Sequence, residues 1–66
     1  MNLGTVKEFS PQKFFGFIEQ DDGSDIFFHG SDIEPKWQGK IGAGDRVQFD
    51  ILTDIKGLKA IKVRKI

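Results

Sequence analysis

Five short runs of β-branched and aromatic residues, each ended by residues typical of turns, make up most of this chain. Such runs are typical of β-strands, and no stretch keeps the apolar period of an amphipathic helix for three turns. The pattern therefore predicts an all-β protein. The expected strands are Leu3–Ser10, Phe14–Glu19, Asp25–His29, Arg46–Thr53 and Leu58–Arg64.

The segments between these runs predict how the strands connect. Ser10–Lys13, Asp21–Ser24 and Asp54–Gly57 carry the proline, aspartate and glycine residues that favour tight turns. Three consecutive strands, a long connection and a final hairpin suit a small antiparallel barrel that is closed or nearly closed. No repeat or low-complexity tract divides residues 1–66, so a single domain is expected.

The connection between the third and fourth runs is longer and less regular. Ser31–Glu34 is predicted to form one helical turn there, with Ser31 capping its first amide groups and Glu34 reaching back in a capping box. Glycines at three later positions favour irregular backbone after this turn.

Composition excludes several classes of protein. The chain has 66 residues, no cysteine and one histidine, His29. A disulfide scaffold is therefore excluded, and so is a structural zinc site built from cysteine and histidine. No apolar run approaches the roughly 18 residues of a membrane span, and the N-terminus has no signal-peptide pattern. These features predict a cytoplasmic protein with no cofactor and no membrane association.

The charges are balanced in number but separated along the chain. The net charge is zero, which by itself counts against a nucleic-acid-binding protein. Up to Pro35, however, two lysines stand against seven acidic residues, a balance of −5. From Lys36 onward, eight basic residues stand against three acidic ones, a balance of +5. This asymmetry permits one basic face on a neutral molecule.

The second and third runs each have one apolar face and one mixed face, because successive side chains of a strand point to opposite sides. Phe15 and Phe17 share one face of the second run, and Phe27 shares a face of the third run with Asp25 and His29. Those polar neighbours mark the face as the solvent side. The expected core residues are Val6, Ile18, Ile26, Phe28, Ile33, Val47, Ile51, Ile61 and Val63.

Three outward phenylalanines form a patch that a soluble monomer rarely carries without a use. One explanation is ordinary packing, with the patch covered by a partner subunit or by the long connection. The other is a binding surface for unpaired nucleic acid, in which bases stack on rings and lysines contact phosphates. Lys7 and Lys13 lie in the strand and turn beside the rings, and His29 shares their face, which favours the second explanation.

Three segments of the chain resemble the cold-shock domain, including its two ribonucleoprotein motifs. They are Gly4-Thr5-Val6-Lys7-x-Phe9, Lys13-x-Phe15-Gly16-Phe17-Ile18 and Asp25-Ile26-Phe27-Phe28-His29. The similarity continues through Ser31-x-Ile33, Gly44-Asp45-x-Val47-x-Phe49 and Lys56-Gly57-x-x-Ala60-x-x-Val63. The resemblance implies a five-stranded antiparallel barrel of the oligonucleotide/oligosaccharide-binding (OB) fold that binds single-stranded DNA and RNA.

The resemblance also implies roles for the aromatic residues. Phe15, Phe17 and Phe27 match the central stacking positions, and His29 matches a ring at the edge that stacks and hydrogen-bonds. Phe9 would support the same surface. Strand alternation places Val6 and Phe9 on their family faces only if the first strand contains a bulge.

Other matching positions carry charges or an indole. Lys7 and Lys13 would contact phosphates or base edges, and Asp25 would hydrogen-bond a base. Lys56 matches a position at the rim of the last hairpin that is often basic. Trp37 lies within one position of a family aromatic at the end of the binding track. A binding role there is favoured over the alternative, in which the indole only fills a gap in the core.

Three positions depart from the family pattern. Glu8 stands where a tryptophan is usual, Gly30 where an aromatic residue follows the histidine, and Phe14 where the first motif has a glycine. At about 1–3 kcal/mol per stacked base, losing two rings weakens binding by about 2–6 kcal/mol. A weaker, more salt-sensitive binder is expected. Phe14 would compensate if it leans over the binding face; packing against Pro11 is the alternative.

The sequence thus predicts a sequence-tolerant single-stranded RNA/DNA-binding protein, an RNA chaperone that traps unpaired bases. A protein-interaction module is the alternative, favoured by Glu8 and the zero net charge. Neither an enzyme nor a small-molecule substrate is expected, because the single histidine has no cysteine nucleophile or evident second base. A monomer is expected, with a dimer through strand pairing as the alternative.

Overall fold

The computed structural model describes all 66 residues and contains five strands. They are β1 (Asn2–Ser10), β2 (Phe15–Gln20), β3 (Asp25–His29), β4 (Arg46–Asp54) and β5 (Gly57–Lys65). Each predicted strand is confirmed, with its ends displaced by no more than one residue. Two 3₁₀ turns, Gly30–Asp32 and Pro35–Trp37, lie in the long connection. No helix of the structure is long and apolar enough to cross a membrane.

The strands form a closed barrel in the order β1-β2-β3-β5-β4, which confirms the predicted barrel. Four neighbouring pairs are antiparallel, as expected, but β3 and β5 run parallel, with Phe27 opposite Lys59 and Phe28 opposite Ala60. The reason is geometric: five strands in a ring cannot all alternate in direction, so one pair must be parallel. This pair brings β5 directly beside the third predicted strand.

Ten apolar side chains fill the barrel. Seven of them were predicted from alternation and motif position: Val6, Ile18, Ile26, Phe28, Ile33, Val47 and Val63. The prediction was wrong for Ile51 and Ile61, which are only half-buried, and it omitted Ile41, Phe49 and Ala60. Ile41 comes from the long connection, where no strand alternation identifies an inward position.

A bulge at Lys7 confirms the irregularity that the first strand required. Val6 pairs with Ile18 and Glu8 pairs with Phe17, so Lys7 is the extra residue of β1. The bulge lets Val6 enter the core while Phe9 stacks against Phe28, with ring centroids 5.5 Å apart. Alternation resumes beyond the bulge with its phase changed.

The helical turn after β3 differs from the predicted Ser31–Glu34 in its bounds and in its cap, which lies two residues earlier than Ser31. It spans Gly30–Asp32, and His29 is its N-cap, because the imidazole Nδ1 accepts a hydrogen bond from the Ser31 amide at 3.1 Å. The predicted capping box is therefore wrong. The Glu34 carboxylate lies 3.7 Å from Arg64 on β5 instead of reaching back to Ser31. The cap fixes the ring of His29 at the end of β3.

Candidate nucleic-acid interface

Three phenylalanine rings lie side by side on the outer face of β2 and β3. Phe17 pairs with Phe27 and Phe15 pairs with His29 across the two strands. The ring centroid of Phe27 is 5.7 Å from that of Phe15 and 5.9 Å from that of Phe17. Phe15, Phe17 and Phe27, called the phenylalanine cluster below, are half-buried because each ring partly covers its neighbour.

An ion pair crosses the barrel surface near the cluster. The Nζ atom of Lys7 lies 3.0 Å from Oδ2 of Asp25, and both side chains are exposed. The hydrogen bond that Lys7 donates to Asp25, followed by the negative charge of that carboxylate, raises the pKa of Lys7. Lys7 therefore stays charged through the neutral range. An exposed pair of this kind contributes little to stability, so another anion can displace Asp25 at small cost.

Lys13 lies in a surface cleft of about 230 Å³ at the other end of the cluster. The residues lining it are Glu8, Phe9, Ser10, Lys13, Phe15 and Gly16. The cleft thus places the cation of Lys13 and the anion of Glu8 beside Phe15 of the cluster. Its Glu8 side chain is exposed, so the charge that replaces the usual family ring stands at the surface.

A second cleft, of about 440 Å³, lies between β3 and the β4–β5 turn. The residues lining it are Phe27, His29, Asp54, Lys56, Gly57, Leu58 and Lys59. The structure therefore brings Lys56 to the phenylalanine cluster, where the resemblance expects a basic residue. Leu58 and Lys59 were not predicted as site residues. They line the cleft because β5 runs beside β3, with Lys59 opposite Phe27. The sequence pattern did not predict this parallel pairing.

Phe9 and Trp37 are placed differently from the cluster. Phe9 lines the smaller cleft but packs inward on Phe28, in keeping with a supporting role. Trp37 is half-buried against the core, and the ammonium groups of Lys36 and Lys65 lie 5.4 and 5.9 Å from its ring centroid. No ring–ring contact joins Trp37 to the cluster, and its role at the end of the binding track stays a prediction.

This arrangement suits an unpaired nucleic-acid strand. The cluster offers ring faces at the surface, and Lys7, Lys13 and Lys56 stand around it. Bases of any identity stack on such rings, and lysines follow the backbone. In a duplex the base faces are stacked on one another, so they are not available to stack on these rings.

Comparisons with known proteins point the same way. The profile of the 'Cold-shock' DNA-binding domain matches residues 2–66. "Cold shock protein CspC" of Bacillus subtilis is 40% identical over 65 residues, which are 98% of each chain. "Cold shock-like protein CspLB" of Listeria monocytogenes is 42% identical over the full length of both chains. The solved structure "drosophila Unr CSD456" superposes with a TM-score of 0.75 at 24% identity. That match covers 98% of this chain but 26% of the other, and it shows the shared fold.

Proposed function

Because this chain belongs to the cold-shock DNA-binding domain family, we propose that it binds single-stranded RNA and DNA with little sequence preference and acts as an RNA chaperone. The observation that carries the proposal is the phenylalanine cluster on the outer face of β2 and β3. Rings that packed only against the protein would not need a solvent face surrounded by three lysines.

The proposed mechanism uses binding energy alone. Unpaired bases stack on Phe15, Phe17 and Phe27, each stack contributing about 1–3 kcal/mol. His29 adds a further ring at the end of β3, and Asp25 accepts a hydrogen bond from a base when Lys7 turns to a phosphate. Because only the open strand is bound, folded RNA hairpins lose population by mass action, and no nucleotide hydrolysis is required.

Electrostatics set how strongly salt opposes this binding. Lys7, Lys13 and Lys56 lie beside the cluster and are the cations proposed to contact phosphates. Lys59 also lies beside Phe27, but its ammonium group forms an ion pair with Asp32 at 3.4 Å. If each contacts one phosphate, log K falls against log salt with a slope of about −2, using the value of about −0.7 per contact for single strands. The slope is modest because few cations surround the rings, so stacking carries most of the affinity. This differs from the stronger salt sensitivity expected from the loss of two rings.

Fluorescence anisotropy of labelled oligo-dT and oligo-U tests the proposal. Saturable binding is expected for both single strands, with a salt slope near the value above and much weaker binding of a matching duplex. Equal affinity for duplex and single strand would contradict the stacking mechanism. Absence of binding at low salt would remove the nucleic-acid function altogether.

Glu8 favours a second candidate function, a protein-interaction module that uses the phenylalanine cluster as its interface. An exposed carboxylate beside the rings repels the phosphates of every nucleic acid, but it is compatible with a neutral or basic protein surface. Under this alternative the unchanged chain binds no oligonucleotide at low salt, and alanine substitutions in the cluster disrupt association with a protein.

Removing the charge of Glu8 is expected to tighten oligonucleotide binding. Glu8→Gln keeps the side-chain shape and removes an anion from the cleft that holds Lys13. For exposed charges we expect a gain of about 1.5- to 5-fold at low salt, which disappears at high salt. Asp50→Asn is the matched control, since β4 neighbours neither β2 nor β3 in the barrel. An equal gain in both variants would mean that net charge alone is responsible.

A further inference from the structure

Phe14 has a backbone conformation that a phenylalanine rarely adopts. Its φ angle is 60°, in the left-handed region that favours glycine. Hydrogen bonds hold the conformation from both sides: the Phe14 amide donates to the Ser10 carbonyl at 2.7 Å, and the Phe14 carbonyl accepts from the Gly30 amide at 2.7 Å. The residue is nonetheless 40% exposed. Core burial therefore does not account for a strained aromatic residue here.

The Phe14 ring occupies the place where residue 30 would carry a side chain. A Cβ atom built on Gly30 would overlap the Cδ1, Cε1 and Cγ atoms of the Phe14 ring. Gly30 is buried, and its φ angle is not in the left-handed region. Gly30 is thus required for space and not for backbone conformation. The two residues, 16 positions apart in sequence, fit each other.

The ring lies where it extends the aromatic surface past the end of β3. Its centroid is 5.3 Å from that of His29, with the two planes at 84°, and 6.3 Å from that of Phe9. His29 in turn is opposite Phe15 of the phenylalanine cluster. The ring also lines a cleft of about 180 Å³ together with Pro11 and Gln38, so part of its surface is open to a ligand.

We propose that Phe14 is a further base-stacking residue, which adds a platform beyond His29, and that Gly30 makes room for it. This inference rests on the proposed function. The two departures from the cold-shock pattern are then one exchange, in which the ring expected at position 30 comes instead from the turn just before β2. Strained backbone is often retained at functional sites, which agrees with this role.

An exchange of the two residues tests the proposal. Phe14→Gly suits the φ angle and should stay folded, while binding of a long oligo-dT weakens by about 5-fold or more. Gly30→Phe alone should lower the melting temperature, because the new ring meets Phe14. The double variant Phe14→Gly with Gly30→Phe removes the conflict and restores a ring. Its melting temperature should therefore be higher than that of Gly30→Phe, and its affinity for oligo-dT should be higher than that of Phe14→Gly.

Oligonucleotide length separates a stacking role from a packing role. A lost platform at the end of the track weakens only oligonucleotides long enough to reach it, so the unchanged chain and Phe14→Gly should bind a sufficiently short oligo-dT equally. A loss that is the same at every length, or no loss at any length, overturns the proposal and leaves the proposed function standing. If the unchanged chain binds no oligo-dT at all, both fall together.

Discussion

Phe27→Ala is expected to weaken binding of single-stranded oligonucleotides by about 5- to 150-fold, the equivalent of about 1–3 kcal/mol for one stacked base. Phe27 is the most damaging position in the phenylalanine cluster, because its ring contacts both Phe15 and Phe17 and also lines the cleft that holds Lys56. Anisotropy titrations of oligo-dT measure the loss. The melting temperature should change little, since the ring is only half-buried.

Leu3→Ala supplies the control for this experiment. Leu3 is an exposed apolar residue of β1 that lies beside Met1, Gln20 and Asp21, away from the cluster. Its replacement removes apolar surface without touching a proposed base site, so affinity should stay the same. Unchanged affinity in Phe27→Ala, with clear binding by the unchanged chain, would show that bases stack elsewhere.

Phe28→Ala is expected to lower the stability of the fold, which Phe27→Ala leaves nearly unchanged. Phe28 is completely buried and stacks against Phe9. Truncating a buried phenylalanine costs about 3–5 kcal/mol. The whole chain of 66 residues has a stability of about 3–10 kcal/mol at 0.05–0.15 kcal/mol per residue. One substitution thus removes a large share, and urea unfolding followed by circular dichroism should show a strongly lowered midpoint.

These two adjacent residues separate folding from binding. If Phe28→Ala kept a midpoint close to that of the unchanged chain, the inward position of Phe28 would be wrong. If Phe27→Ala unfolded the protein instead, the cluster would be part of the core, and its exposed face would not indicate a binding surface. The expected pair of results follows from strand alternation alone, since positions 27 and 28 of β3 point to opposite sides.

Local features of the sequence were sufficient for the strands and for the two faces of β2 and β3. Asp25–His29 was predicted to the residue, because Asp25 and His29 beside Phe27 identify the solvent side without any knowledge of the partner strand. The bulge in β1 needed the family resemblance as well, since only the faces that it implies for Val6 and Phe9 conflict with strict alternation. Alternation and turn chemistry act over a few residues, and that is the range in which they succeed.

Contacts between distant residues could not be predicted in the same way. The parallel pairing of β3 with β5 brings Lys59 opposite Phe27, and no residue near Lys59 in the sequence predicts this pairing. The position of the Phe14 ring over Gly30 is likewise a packing fact between two loops. The imidazole cap could not be predicted either, because serine is a common N-cap residue and the orientation of the His29 ring depends on the backbone after β3.

The parallel closure has a consequence for the chain while it is being made. Until β5 is available, β3 has no partner on one side, and β4 lacks its neighbour as well. Unpaired strands expose rows of amide and carbonyl groups that invite pairing with other chains, and β3 would do so with its phenylalanines uncovered. A ribosome-bound chain ending before residue 57 is thus an aggregation hazard, and synthesis of the last strand removes it.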